Sequence, residues 1–152
     1  MASTSPSSRT PWTLDQVRAI IPAGLAHLSS QLRQCDPADM DRGTLVCATM
    51  FGSGELAGQA AWLKAVRKTS PVTADDFDNE DEIYRPPMFT VVRVPAGDRD
   101  EFGEFAYTSQ KDDEPQVWSL VADRAFIQVG YTQGSVSQDE LWSIARRIIE
   151  DS

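Results

Sequence analysis

The closing segment of the chain, residues 136–150, constrains the fold more than any other part of the sequence. Ser137-Gln138-Asp139-Glu140 has the spacing of a capping box, in which a Ser and a Glu three residues later satisfy free amides of the first helical turn. The apolar residues that follow recur with helical spacing: Leu141, Ile144, Ala145, Ile148 and Ile149. The pattern predicts an amphipathic helix, which is stable only when its apolar stripe packs on another layer of structure.

A β-hairpin that can supply this layer is predicted immediately before the helix. Residues 117–121 and 125–131 are rich in β-branched and aromatic side chains, and the polar pair Asp123-Arg124 connects them. Similar runs predict further strands over about 44–51, 88–94 and 102–108.

Helices are predicted in the N-terminal and middle parts of the chain. Thr13 and Gln16 form a capping box before an apolar face that runs to Ile21, and a second helical stretch follows over 25–32. Residues 55–68 have apolar side chains in helical register, which predicts a middle helix. The predicted strands are too many for the predicted helices to connect as parallel crossovers, so we expect an α+β fold. It would be a mostly antiparallel sheet of about four to five strands, with N-terminal, middle and C-terminal helices packed on it.

The length of 152 residues indicates one domain with one hydrophobic core. Residues 1–10 are rich in Ser, Thr and Pro and have no apolar periodicity, so we expect a disordered, tether-like segment followed by a single domain over 11–152. Residues 73–83 contain an acidic run that repels itself, which predicts an exposed loop.

The charge of the chain limits its partners. With 23 acidic against 14 basic residues the net charge is −9, which disfavours binding to nucleic acid and to anionic lipid. No apolar run approaches the roughly 20 residues of a membrane-spanning helix. The first eight residues also lack the apolar core of a signal peptide. Either the protein is cytoplasmic, or Met1 replaces a removed signal or anchor.

Two cysteines bear on the choice between these locations. Cys35 follows the predicted helical region and Cys47 lies inside the predicted strand 44–51, so a disulfide would staple helix to strand. It would close a loop of about 13 residues and stabilise the fold by roughly 3 kcal/mol. The alternative is a pair of buried cytosolic thiols, which pack as small hydrophobic groups.

The sequence contains no recognisable catalytic, cofactor or metal motif. His27 is the only histidine and lies in an apolar helical context, which favours packing over catalysis. Two cysteines and one histidine do not complete a zinc site. Gly52-Ser53-Gly54 lacks the Lys of a phosphate loop and is interpreted as a strand-to-helix turn in which Ser53 caps the helix. We therefore expect no cofactor, no metal and no enzymatic activity.

Two groups of acids have alternative interpretations. Asp76, Asp78, Glu80 and Glu82 alternate as in calcium loops, but Asp81 and Pro87 occupy positions where an EF-hand needs Gly and Glu. A solvated loop is favoured over a looser cation site. A second group (Asp98, Asp100, Glu101 and Glu104) is interpreted as surface charge rather than as paired acid/base carboxylates.

Three aromatic residues are candidates for an exposed anchor in a binding surface: Trp62, Phe77 and Tyr84. Trp62 falls in the predicted middle helix, where a core position is the alternative.

Several segments resemble a known class of domains. These segments are Trp12–Leu28, Gly103–Tyr107, Trp118–Val129 and the capped terminal helix. They resemble small secreted domains of actinobacterial lipoproteins and the extracellular sensor portions of membrane-anchored Ser/Thr kinases. The placement of Cys35 and Cys47 resembles the helix-to-strand bridge of that class, whereas its lipidation cysteine is missing at the start. The resemblance implies an extracytoplasmic location and brings no active-site residues.

Three functions follow as hypotheses. The leading one is a non-enzymatic extracytoplasmic domain of an anchored or secreted protein, with a role in ligand sensing, envelope interaction or protein–protein contact. Its partner would be an unknown protein or small ligand. The second is a cytoplasmic binding or inhibitory protein of the immunity type, whose acidic surface meets a basic target. The third is a small hydrolase or isomerase that uses carboxylates.

Overall fold

An antiparallel sheet forms the centre of the molecule. The computed structural model describes residues 11–40, 43–74, 89–93, 96–111 and 116–150. Neighbouring strands are antiparallel throughout and follow the order β1-β2-β3-β7-β6-β5-β4. The seven strands are β1 Leu32–Gln34, β2 Thr44–Phe51, β3 Ala60–Arg67, β4 Phe89–Arg93, β5 Tyr107–Lys111, β6 Gln116–Val121 and β7 Ala125–Tyr131.

Three α-helices accompany the sheet in the described part of the chain: α1 Leu14–Ala19, α2 Arg99–Phe102 and α3 Gln138–Glu150. A nine-residue 3₁₀ helix covers Ala23–Gln31, and single 3₁₀ turns cover Pro37–Asp39, Gly54–Leu56 and Ala96–Asp98. No helix of the described residues is long and apolar enough to cross a bilayer.

One face of the sheet is covered by α3 and the 23–31 helix, and the opposite face, here called the open face, carries none of the described α-helices α1, α2 and α3. The strict alternation of burial along β3 places Ala61, Leu63 and Ala65 in the core, where they pack with α3 and the 23–31 helix. The intervening residues of β3 and their neighbours on β7 point to the opposite side, where side chains are mostly half-buried. At one corner of this open face, Val72 packs with Tyr107.

The strongest local predictions are confirmed. Ser137 and Glu140 exchange both capping-box hydrogen bonds, and the five apolar positions of the closing helix are buried. Thr13 and Gln16 form the predicted box at the start of α1. β2 has the predicted bounds 44–51, and β6 and β7 form the predicted hairpin.

The predicted middle helix over 55–68 is wrong. A single 3₁₀ turn at Gly54–Leu56 is followed by Gly58 with φ +89°, a left-handed conformation that ends helical propagation. The chain then enters β3, whose residues alternate between the two faces with a period of two.

The predicted strand over 102–108 is also corrected. Phe102 ends the short helix α2, Gly103 has φ +104°, and the strand begins only at Tyr107. The fold is α+β as expected, but the sheet has more strands than the four to five predicted. The missed strands are β3 and the short edge strand β1, which follows the second helical stretch. The proposed tether 1–10 and most of the predicted loop 73–83 lie outside the described residues.

Candidate functional site

The open face carries a continuous row of side chains that crosses the sheet. Strand register aligns Thr49 on β2 with Trp62 on β3, Trp62 with Gly130 on β7, and Gly130 with Val117 on β6. The row is flanked by two cations, Arg33 beyond Thr49 and Lys111 beyond Val117. Register therefore brings six residues from six strands into one line, with the only large aromatic side chain among them near its centre.

Trp62 occupies the space above Gly130. A Cβ atom placed on Gly130 would collide with three atoms of the six-membered ring of Trp62, so only glycine fits beneath the indole. The indole is half-buried although it packs on the open face. Trp62 is therefore held against the sheet while part of its surface stays accessible to a partner.

An exposed aromatic side chain lies diagonally across the β2–β3 pair from Trp62. Phe51 ends β2, two residues beyond Thr49 and opposite Ala60, so it projects from the same face. It is 61% exposed, the most exposed large apolar side chain of the described residues. Phe51 and Trp62 together place two large apolar side chains on this end of the face, and such side chains anchor protein contacts.

The adjacent row of the open face is polar. Cys47, Lys64, Gln128, Ser119 and Ser109 follow one another in register across five strands. Lys64 is half-buried on the interior strand β3 and forms no ion pair with any residue of the described ranges.

The two cysteines meet at the end of this polar row. The backbone N–H of Cys35 donates to the carbonyl of Cys47 at 2.8 Å, which continues the β1–β2 ladder by one residue. Both are free thiols in the structure, and the Cys35 Sγ donates to the Cys47 Sγ at 2.7 Å. Cys35 thus follows a strand, so a disulfide here would join strand to strand rather than helix to strand.

The electrostatic setting of Cys47 disfavours a reactive thiolate. Its pKa is raised from the usual 9.0 to about 11 by burial and by the neighbouring Cys35, while Lys64 opposes the shift. A thiol with such a pKa is almost wholly protonated at neutral pH, and the thiolate is the form that attacks electrophiles and binds metals.

The other candidate residues have structural surroundings. The exposed His27 ring Nε2 lies 3.0 Å from Gln59 Oε1. Ser53 precedes the turn Gly54–Leu56 but makes no side-chain cap there, so the predicted cap is wrong. Its hydroxyl instead accepts a hydrogen bond from the Gln31 side chain at 3.3 Å.

Two of the four turn carboxylates are engaged by one arginine. Arg146 on α3 contacts Glu101 at 3.2 Å and Asp98 at 3.7 Å, and its guanidinium lies 5.1 Å from the centre of the Phe102 ring. These contacts fasten α2 to α3, which suits a structural role better than proton transfer.

The acidic run and the candidate anchors Phe77 and Tyr84 lie outside the described residues. In the described ranges, no group of three or more His, Cys, Asp or Glu side chains is arranged to hold a metal ion.

Two clefts open between α1 and α3, with volumes of about 160 and 170 Å³. Arg147 lines both of them, together with Gln16 and Glu150 in one and Pro22 and Ser143 in the other. Pockets that hold drug-sized ligands measure roughly 300–1,000 Å³, so these clefts are too small for such a ligand.

Comparison with protein-family models, curated proteins and solved structures gave no match. The resemblance to secreted lipoprotein and sensor domains therefore stays a hypothesis.

Sequence reasoning singled out Trp62 but placed it in a helix, and it missed Lys64 and Gly130. The sequence of 60–67 fits helical and alternating patterns alike, and Gly58 was the signal against a helix.

Proposed function

We propose that this chain is a non-enzymatic, extracytoplasmic binding domain whose open sheet face contacts a partner protein. One observation carries the proposal: Trp62 is packed on Gly130 on a face that also exposes Phe51. Tryptophan is the residue type most enriched among side chains that dominate protein interfaces. Fixing its ring in advance lowers the entropy lost on binding.

The dimensions of the face suit a protein rather than a small molecule. The five strands β1, β2, β3, β7 and β6 span about 19 Å at a spacing of about 4.8 Å, whereas Tyr107 and Ser109 of β5 on the same face are buried. A flat surface of this kind suits protein contacts, which take roughly 800 Å² from each partner in a standard interface.

The extracytoplasmic location rests on the cysteine pair. Cys35 and Cys47 face each other across an antiparallel ladder, and their sulfur atoms need to move by less than about 1 Å to reach covalent distance. Disulfides of this kind persist in oxidising compartments and are rare in the cytosol.

Site-specific photo-crosslinking in the native cells tests the binding surface. A photoreactive amino acid at Thr49 lies beside Trp62, whereas one at the exposed Ser143 on α3 samples the opposite side of the sheet. We expect a discrete adduct from position 49 and none from position 143.

A matched pair of substitutions completes this test. Trp62→Ala should abolish the adduct, and Leu14→Ala, which truncates an exposed apolar residue of α1, should retain it. Equal adducts from positions 49 and 143, or an adduct that survives Trp62→Ala in a folded variant, would refute the open face as the contact surface.

A further inference from the structure

The seven strands have a charge opposite to that of the whole protein. The chain carries a net charge of −9, yet none of the acidic residues in the described ranges lies in a strand. Five basic residues do: Arg33, Lys64, Arg67, Arg93 and Lys111. Within the part of the chain that the structure describes, the acids thus lie in helices, turns and connections, and the charged residues of the strands are all basic.

Strand propensity does not account for this separation. Asp is strongly depleted in strands, but Glu and Lys are depleted to a similar, smaller degree, so propensity alone would not exclude all glutamates and retain lysines. Edge protection explains Arg33, because β1 is an edge strand and charged side chains there prevent unwanted pairing. It does not explain Lys64, which lies on an interior strand.

Lys64 is a cation of an interior strand that no carboxylate of the described ranges neutralises. Its side chain is half-buried, and no carboxylate of the described residues pairs with it. A carboxylate that a partner brings to this half-buried ammonium would interact with it more strongly than in open water, because the local dielectric constant is lower. Its neighbours on the open face, Cys47 and Gln128, carry no negative charge that could take the place of a carboxylate.

We propose that the open face binds an acidic segment of a partner protein, with Lys64 as the charge contact and Trp62 as the apolar anchor. Arg33 and Lys111 lie at the two sides of the Trp62 row and extend the positive charge across the face. The inference rests on the proposed function and specifies the chemistry of the partner. Complementary charge of this kind speeds encounter and excludes basic partners.

The direct test titrates the full-length protein with a fluorescent peptide in which Glu and Asp flank a central Phe-Trp pair. A second peptide replaces each acid by its amide. We expect fluorescence anisotropy to show at least about tenfold tighter binding of the acidic peptide, a preference that narrows as salt is raised above about 0.15 M.

Charge reversal then locates the site. Lys64→Glu should weaken binding of the acidic peptide about tenfold or more, whereas Arg147→Glu, an equal charge change on the exposed side of α3, should alter it less than about twofold. Circular dichroism establishes that both variants are folded, and Lys64→Met provides a charge-free replacement if Lys64→Glu does not fold. Equal binding of the two peptides, or equal losses in Lys64→Glu and Arg147→Glu, would overturn the inference.

The outcome separates this inference from the binding function itself. If the position 49 crosslink depends on Trp62 but not on Lys64, the open face binds a partner whose acidity is irrelevant. If sedimentation shows a dimer that Lys64→Glu dissociates, the occupant is a second copy of this acidic chain, and a different partner protein is excluded.

Discussion

The indole of Trp62 occupies the volume in which a side chain on Gly130 would lie, so one residue of β7 must be glycine for its neighbour on β3 to pack. Glycine inside a strand normally costs stability because its backbone is freer in the unfolded chain. Here the cost is offset by the contact area that the indole gains on the sheet, an arrangement in which an aromatic side chain covers a strand glycine.

This relationship predicts that the effect of Gly130→Ala on the free energy of unfolding changes sign when Trp62 is replaced by Ala. Gly130→Ala should destabilise the protein by about 1–3 kcal/mol because the added methyl displaces the indole. In the Trp62→Ala background the same change should be neutral or stabilising. Urea unfolding of the four proteins measures the coupling, and additive effects would show that the two residues do not share one space.

The cysteine pair predicts an oxidised protein in its native compartment. Material isolated after acid quenching and alkylation should be lighter by two hydrogen atoms and take up no label until it is reduced. Reduction should cost roughly 3 kcal/mol of unfolding free energy for a loop of this size. Two labelled thiols without reductant would contradict the extracytoplasmic location.

When Cys35 and Cys47 are both reduced, we expect the free energy of unfolding to fall at alkaline pH. The folded-state pKa of Cys47 is raised to about 11, so the neutral thiol is favoured in the fold. The stabilisation of the fold by the protonated Cys47 thiol is complete below pH 9.0, the pKa of this thiol in the unfolded chain. It is lost as the pH rises through about 11, the pKa in the folded protein. Iodoacetamide labelling of Cys47, followed by peptide mapping, should accelerate over this range.

Cys35→Ala provides the control for this titration. It removes the hydrogen bond and the charge interaction that help to raise the pKa of Cys47, and it leaves burial as the remaining cause of the increase. The labelling profile should therefore move to lower pH. An unchanged profile would mean that Cys35 does not influence its neighbour.

The closing helix predicts a graded series of stabilities. Ile148 is fully buried, so Ile148→Ala should cost about 2–5 kcal/mol. Ser137→Ala removes one capping hydrogen bond and should cost about 1 kcal/mol. Arg147 is exposed, and Arg147→Ala should stay within about 0.5 kcal/mol of wild type. Equal effects in urea melts would place the helix outside the core.

Glu140 shows how tertiary structure adds to a local signal. The sequence predicts its hydrogen bond to the Ser137 amide, and the structure confirms it at 3.0 Å. The second carboxylate oxygen accepts a hydrogen bond from the Ala23 amide, 117 residues away, at 2.8 Å. Capping chemistry within four residues is local, whereas the contact with Ala23 exists only once the two helix starts meet.

The sequence by itself determined the elements whose stabilising contacts lie within a few residues: both capping boxes, the β6–β7 hairpin, the strand at 44–51 and the apolar stripe of α3. Tertiary structure alone decided that 60–67 is an interior strand, because its alanines and leucine satisfy helical and alternating patterns alike until β2 and β7 pair with it. The same pairing decided which residues share the open face. Trp62, Gly130, Lys64 and Cys47 come from three strands, and register, which depends on hydrogen bonds between distant segments, brings them together.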